Sequence, residues 1–182
     1  MRYMSGELEE RAALQTAARM CAAARTAPKA HGKDTVRTLV LTGEEKETLA
    51  RKMEEVGVRE MGGKMNTWYG RDAANVRKAQ AVVLIGAERV KRNVPHCGFC
   101  GFRNCGDCGA SGGNCAFSYV DLGIAVSSAV SAAAADRVDN RIMYSVGKAA
   151  AEMDSGENVL WLGVPISISG KSIFFDRGIF HD

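Results

Sequence analysis

The sequence predicts a domain of the α/β (α+β) class, helices layered on a central sheet, and three observations carry that reading. Helical patterns and short apolar, strand-like runs alternate along all 182 residues. The composition, 46% hydrophobic and 25% charged, is that of an ordinary globular chain. A domain near this size buries roughly 70% of its unfolded surface, so it folds without cysteine staples. Five of the six cysteines nevertheless fall within 19 residues, Cys97 to Cys115. Structural disulfides would spread their pairs across the chain, so the clustering excludes a disulfide-stapled secreted fold and leaves the thiols for chemistry. The length suits one domain, residues 1–182, with residues 94–116 as an inserted cysteine-rich loop.

The elements follow in order. Leu8 to Thr26 is rich in helix formers, with Leu14, Ala17, Ala18, Cys21 and Ala24 at helical spacing, and Pro28 ends the helix. Lys29 to Asp34 forms a polar loop, and Val36 to Leu41 reads as a strand. Thr42 caps a helix from Glu44 to Val56 that places Leu49, Met53 and Val56 on one face and mixed charges on the other. Gly57 to Gly70 reads as a Gly-rich loop carrying an exposed Trp68–Tyr69 pair, and a short helix follows from Asp72 to Ala79. The unbroken apolar run Ala81 to Gly86 is that of a strand buried on both faces. Beyond the cysteines, Tyr119 to Asp136 is a long helix of small residues, suited to a central or dimer-interface position. An extended stretch (Asp139 to Met143), a helix (Tyr144 to Met153) and a buried strand closed by Pro165 (Val159 to Val164) complete the chain.

Charge narrows the function. The 24 basic and 21 acidic residues are interspersed, and no basic stripe interleaved with aromatics is present, so nucleic acid is not an expected partner. The first residues lack the apolar core of a signal peptide. The longest uncharged apolar-biased stretch, Leu122 to Ala135, has 14 residues against the roughly 20 that span a bilayer. The expectation is a cytoplasmic protein with no membrane partner.

The cysteines are spaced C-x2-C-x4-C-x2-C-x6-C: Cys97, Cys100, Cys105, Cys108 and Cys115. Short spacings deliver several thiolates from one loop to one centre, as an iron–sulfur cluster requires. Six intervening glycines let the backbone turn tightly and bring amide N–H groups near the sulfurs, while Phe99 and Phe102 can supply an apolar shell. Structural zinc also uses C-x2-C pairs, usually separated by a longer loop, and a lone C-x2-C serves thiol exchange. A zinc staple leaves the fifth cysteine unexplained, and a domain of this size does not need one. Cys21, on a helix face, reads as a small hydrophobe. His31 and His96 read as solvated loop residues, and Asp139-Asn140-Arg141 as a capping turn.

Cys97-Gly98-Phe99-Cys100-Gly101-Phe102-Arg103-Asn104-Cys105 resembles the C-G-x-C-G-x-x-x-C signature of the four-cysteine iron–sulfur domain found in membrane electron-transport complexes and corrinoid proteins of acetyl-CoA metabolism. That resemblance implies a [4Fe–4S] cluster on Cys97, Cys100, Cys105 and a more distant fourth ligand, Cys115, with Cys108 the alternate. Ala24-Arg25-Thr26-Ala27-Pro28-Lys29, Asp121-Leu122-Gly123-Ile124-Ala125 and Asp139-Asn140-Arg141 extend the similarity over nearly the whole chain, to a prokaryotic group of uncharacterised ferredoxin-domain-containing proteins.

A wider similarity is to the nitroreductase family of flavin enzymes. Ala27-Pro28-Lys29-Ala30-His31-Gly32-Lys33-Asp34 stands where that family has a flavin-contacting loop, and Leu162-Gly163-Val164-Pro165 resembles its late strand. The implied fold is a mixed central sheet wrapped by helices, usually a homodimer with FMN at the interface. Arg25, Lys29 and Lys33 are then the cations that could pair with an FMN phosphate, or else cations suiting a helix C-terminus. The family's N-terminal Ser-x-Arg has no counterpart before Leu8, and Arg177 is the available C-terminal cation. The expected activity is one-electron transfer between a redox partner protein or a flavin and the cluster. The alternatives are a zinc-stabilised binding module and a flavin reductase with a structural cysteine loop.

Overall fold

The computed structural model describes residues 1–64, 67–153 and 158–175; Arg177 lies outside them. The chain runs α1 (Ser5–Thr26), β1 (Val36–Leu41), α2 (Gly43–Glu60), α3 (Trp68–Lys78), β2 (Ala81–Glu88), α4 (Cys105–Ala110), α5 (Ala116–Ala135), β3 (Asp139–Asn140), α6 (Tyr144–Ala150) and β4 (Val159–Ser167). A single 3-10 turn, Ala30–Gly32, interrupts the loop after α1.

The four strands form one sheet in the order β1-β2-β4-β3. Every pairing described is antiparallel, in place of the mixed sheet that the flavin-enzyme resemblance implies. The connection between β1 and β2 explains part of this. It holds two helices, which return the chain to the end where β1 finished, whereas a parallel crossover uses one. β2 is buried along its length because both faces are covered. Val83, Ile85 and Ala87 pack with α1 and α5, through Ala17, Met20, Leu122, Ala125 and Ala129. Val82 and Leu84, one residue out of step, pack with α2, α3 and α6, through Leu49, Met53, Val76 and Val146. The period-2 alternation of one apolar strand thus builds two cores, and the architecture is helix–sheet–helix.

Several boundaries differ from the sequence expectation for identifiable reasons. α2 runs four residues past Val56, and α3 begins at Trp68, where the Thr67 hydroxyl accepts a bond from Gly70 N. Tyr69 is therefore buried, with its Cβ lying where a side chain on Gly57 would go, and only Trp68 stays partly exposed. β4 passes through Pro165 and ends at Ser167. The Pro165 carbonyl accepts from Arg141 N on the side of the short edge strand β3, so the ring's missing N–H removes a bond there and spares the ladder to β2. α6 lies directly on β4, because a Cβ on Gly147 would stand 1.9 Å from the Trp161 carbonyl oxygen.

α5 begins at Ala116, well before the uncharged stretch read from Leu122, and Asp121 is its one charged residue. By length and composition it is an apolar helix long enough to cross a membrane. In this fold it packs along α1, with the Ser128 hydroxyl donating to Ala23 O.

Candidate functional site

The cysteine segment fills the connection between β2 and α5, and both ends are fastened to the core. At the entrance Arg92 is fully buried. Its Nε and Nη2 donate to Asp121 Oδ2 on α5 at 3.0 and 2.7 Å, and Nη2 also donates to Thr35 Oγ1 at 2.7 Å. Asp121 Oδ1 accepts from Ala30 N at 3.0 Å, and His31 Nδ1 lies 2.9 Å from the Arg92 carbonyl. At the exit, the Ser118 hydroxyl reaches Glu88 O and Val90 O. A buried charge must be paired, and this pair joins the loop after α1, the end of β2 and the first turns of α5.

Between these fastenings the chain makes two tight turns on either side of a capped helix. Gly101 N donates to Gly98 O, and both glycines take positive φ (83° and 60°), a conformation that a side chain disfavours. Asn104 caps α4, its Oδ1 accepting from Asp107 N at 2.9 Å. Gly113 N donates to Cys108 O at 2.7 Å and closes the turn after α4. Cys115 then stands at the N-cap of α5.

The result is a cavity of about 230 Å³ walled by Cys97, Cys100, Cys105 and Cys115 together with His96 and Phe102. Phe99, expected to shield the sulfurs, is instead 72% exposed and stacks on Phe117 at 5.5 Å, so Phe102 alone of the two lines the site. All five thiols are free. Cys108 is not part of the wall and is 1% exposed. Burial pushes its thiol pKa up, the neighbouring Cys100 and Cys115 sulfurs add to that, and the Lys91 ammonium opposes it. No group of three His, Cys, Asp or Glu side chains among the described residues is gathered closely enough to hold a single metal ion. The donor set itself is soft, four thiols with no carboxylate in the wall, which suits an iron–sulfur cluster or zinc and disfavours hard cations.

The expected flavin-phosphate cations stand together at the end of α1 but are engaged with the protein. Lys29 Nζ donates to Arg25 O and Ala27 O, capping the helix C-terminus. Arg25 pairs with Asp34 at 2.7 Å. Burial is the largest single influence on the Asp34 carboxyl and pushes it up, but hydrogen bonds from Arg25 and Val36 N and the charges of Arg25 and Lys29 together hold it below the usual carboxylate range. Lys33 is exposed. Cys21 is half-buried, and burial pushes its thiol up. The Arg92–Thr35 part of the clamp was not visible in the sequence. Asp121 did carry a signal, as the one charge in a 20-residue apolar helix, because such a residue, once buried, requires a partner.

Fold and site together define a nitroreductase-fold protein with a cysteine loop between its second strand and its long helix. A nitroreductase with bound FMN from Desulfitobacterium hafniense superposes with a TM-score of 0.55 at 14% identity, over 94% of this chain and 81% of that one. A nitroreductase family protein from Clostridium novyi gives 0.52 at 11% identity, over 85% and 73%. At such identities the likeness is one of fold. The sequence comparisons are more specific. The profile of the family described as "Uncharacterized protein containing a ferredoxin domain" matches residues 111–177. A protein from Archaeoglobus fulgidus, also described as uncharacterized, is 42% identical over 166 residues, covering 87% of this chain and 88% of its own. The chain belongs to this ferredoxin-domain family. Of the five loop cysteines the profile match includes only Cys115, so it is independent of the motif at Cys97 to Cys105.

Proposed function

We propose that the protein transfers single electrons through one [4Fe–4S] cluster held by Cys97, Cys100, Cys105 and Cys115. The observation that carries this reading is the single cavity walled by those four thiols and no carboxylate. The cluster, when bound, supplies a one-electron redox couple. The rest falls to the chain. Four cysteines of the loop line one space, and Phe102 lines it on one side. The Arg92–Asp121 pair fixes the entrance of the loop against the helix that carries the last of the four thiols at its cap. The electrons come from or go to a redox partner protein, in the cytoplasm. The ferredoxin description of the family supports a redox role, and the FMN bound to the Desulfitobacterium relative supports a second reading in which this fold also holds FMN. In that case Lys33 is the cation nearest to free at the loop after α1, and the protein is a reductase. We further propose a homodimer through α5, whose Tyr119, Val120 and Ile124 are exposed and uncharged.

The test is metal and sulfide analysis of protein purified without oxygen. Four iron and four sulfide per chain are expected. A colourless preparation with one zinc per chain and no iron sinks the electron-transfer reading and leaves the zinc-stabilised binding module in its place. A flavin absorption spectrum that survives Cys97→Ser, in protein without iron, favours the flavin reductase with a structural loop.

A further inference from the structure

We propose that Phe99, Arg103 and Lys91 form a docking face beside the cysteine cavity for an acidic one-electron carrier protein. This rests on the cluster reading above and names the chemistry of the partner that exchanges the electron.

The backbone sets Phe99 in place. Gly98 and Cys100 line the cavity, and Phe99 stands between them. The bond from Gly101 N to Gly98 O, with both glycines at positive φ, puts Phe99 at the first central position of a four-residue turn. Its ring is 72% exposed and stacks on Phe117, in the first turn of α5, with 5.5 Å between centroids. A single exposed apolar side chain is ordinary on a protein surface. This one is presented on a turn whose flanking residues wall the cavity, with a second ring behind it. A protein that buries Phe99 comes within one residue of Cys100 and two of Cys97, both proposed ligands. Electron transfer needs such closeness, because its rate falls steeply with distance. In the docked pair one electron passes from the reduced carrier to the cluster, oxidising the first and reducing the second.

Charge gives the carrier its chemistry. Residues 89–120 hold Arg89, Lys91, Arg92 and Arg103 against one carboxylate, Asp107, so the chain's excess of 24 basic over 21 acidic residues lies in this stretch. Arg92 is spent on Asp121. Arg103 lines the cavity with 85% of its side chain exposed. Its bond to Asp107 is 3.3 Å long and in water, and such a pair is weak enough to open for a partner. Asp107 also accepts from Asn104 Nδ2 at 3.0 Å, so it stays held when Arg103 turns away. Lys91 lies along α4, its Cε 2.9 Å from where a Cβ on Gly109 would stand. An aromatic centre with arginine beside it is the make-up of a protein interface. Cations around it steer an oppositely charged partner into place. Two cations are few beside the several phosphate contacts that hold a nucleic acid, so the carboxylates of a protein are the better complement.

The experiment measures, by calorimetry without reductant, the binding of anaerobically purified protein to an acidic ferredoxin, an acidic flavodoxin and a basic c-type cytochrome. An acidic carrier is expected to bind about tenfold or more tighter than the cytochrome, and to weaken as salt screens the charges. Phe99→Ala and Arg103→Gln should each weaken that binding about tenfold, the scale of a central interface residue, with iron content and reduction by dithionite unchanged. Tighter binding of the cytochrome, or of a single-stranded DNA oligonucleotide, overturns the proposal. So does acidic-carrier binding that neither variant weakens. A Phe99→Ala protein that changes from dimer to monomer also overturns it, because a second copy of the chain then covers the ring. Binding is read without electron transfer, so the two readings fail separately: iron-free wild-type protein fails at the cluster, whereas iron-loaded protein that binds neither acidic carrier fails at the docking face.

Discussion

At the scale of single residues, the Arg92–Asp121 pair has the largest expected effect. Both side chains are out of water, and Asp121 accepts from the guanidinium on one oxygen and from Ala30 N on the other. Asp121→Asn leaves a buried guanidinium without its counter-charge and is expected to cost about 3–5 kcal/mol in urea denaturation. The double variant Arg92→Met, Asp121→Leu removes both charges and should lose less than the sum of the single changes, with a coupling of roughly 0.5–3 kcal/mol. Exposed pairs behave differently. Hydrogen bonds from Arg77 hold the Glu54 carboxyl below the usual carboxylate range, with burial acting against them. A depressed folded pKa gives stability that is complete above the unfolded value, near 4.3, and is lost as pH falls through the folded value. Thermal melts should therefore show wild type above Glu54→Gln at pH 6, by the ~0–1 kcal/mol of a surface pair, and the gap closing below about pH 4. A gap that widens on acidification contradicts the assignment.

At the scale of elements, the structure tests how much local pattern can say. β1 has the bounds expected, Val36–Leu41, because its alternation and its flanking breakers agree. The bound at Pro165 failed because proline ends a strand only where its N–H is needed, and that depends on which neighbour it faces, a fact of register. α4 was hidden by glycine: Cys105-Gly106-Asp107-Cys108-Gly109-Ala110 has poor helix propensity, and the Asn104 cap and the surrounding turns overcome it. Spacing marked the five thiols as one candidate site and the four-cysteine resemblance favoured Cys115 over Cys108, whereas the burial of Cys108 and the outward turn of Phe99 were not legible, since both depend on how α4 and α5 pack. Two predictions belong here. Gly147→Ala forces α6 off the β4 backbone and is expected to destabilise by roughly 3 kcal/mol or more, beyond ordinary overpacking, because the obstacle is a carbonyl oxygen that has no rotamer to change. On α5, Ile124→Glu combined with Val120→Glu should convert a dimer to a monomer in light scattering, with the circular dichroism unchanged; a wild-type monomer contradicts the interface.

At the scale of the molecule, the two-core sandwich is complete without the cysteine loop. β2 and α5 are buried by α1, α2, α3, α6 and the other strands, and the thiols contribute nothing to either core beyond their own loop. The loop is held by a charge clamp and a hydroxyl, both attached to elements that the fold needs in any case. On the proposed reading, loss of the cluster should therefore leave the sheet and its helices in place. The five closely spaced cysteines then divide into four that wall a cavity and one that is buried outside its wall.

The most direct measurement of the central claim is the visible spectrum of anaerobically purified protein before and after dithionite. The account predicts a broad brown charge-transfer absorption that bleaches on reduction, returns on reoxidation, and is lost in Cys115→Ser. A wild-type protein that is colourless and unchanged by dithionite, with its five thiols titrating as zinc-bound or free, would contradict it.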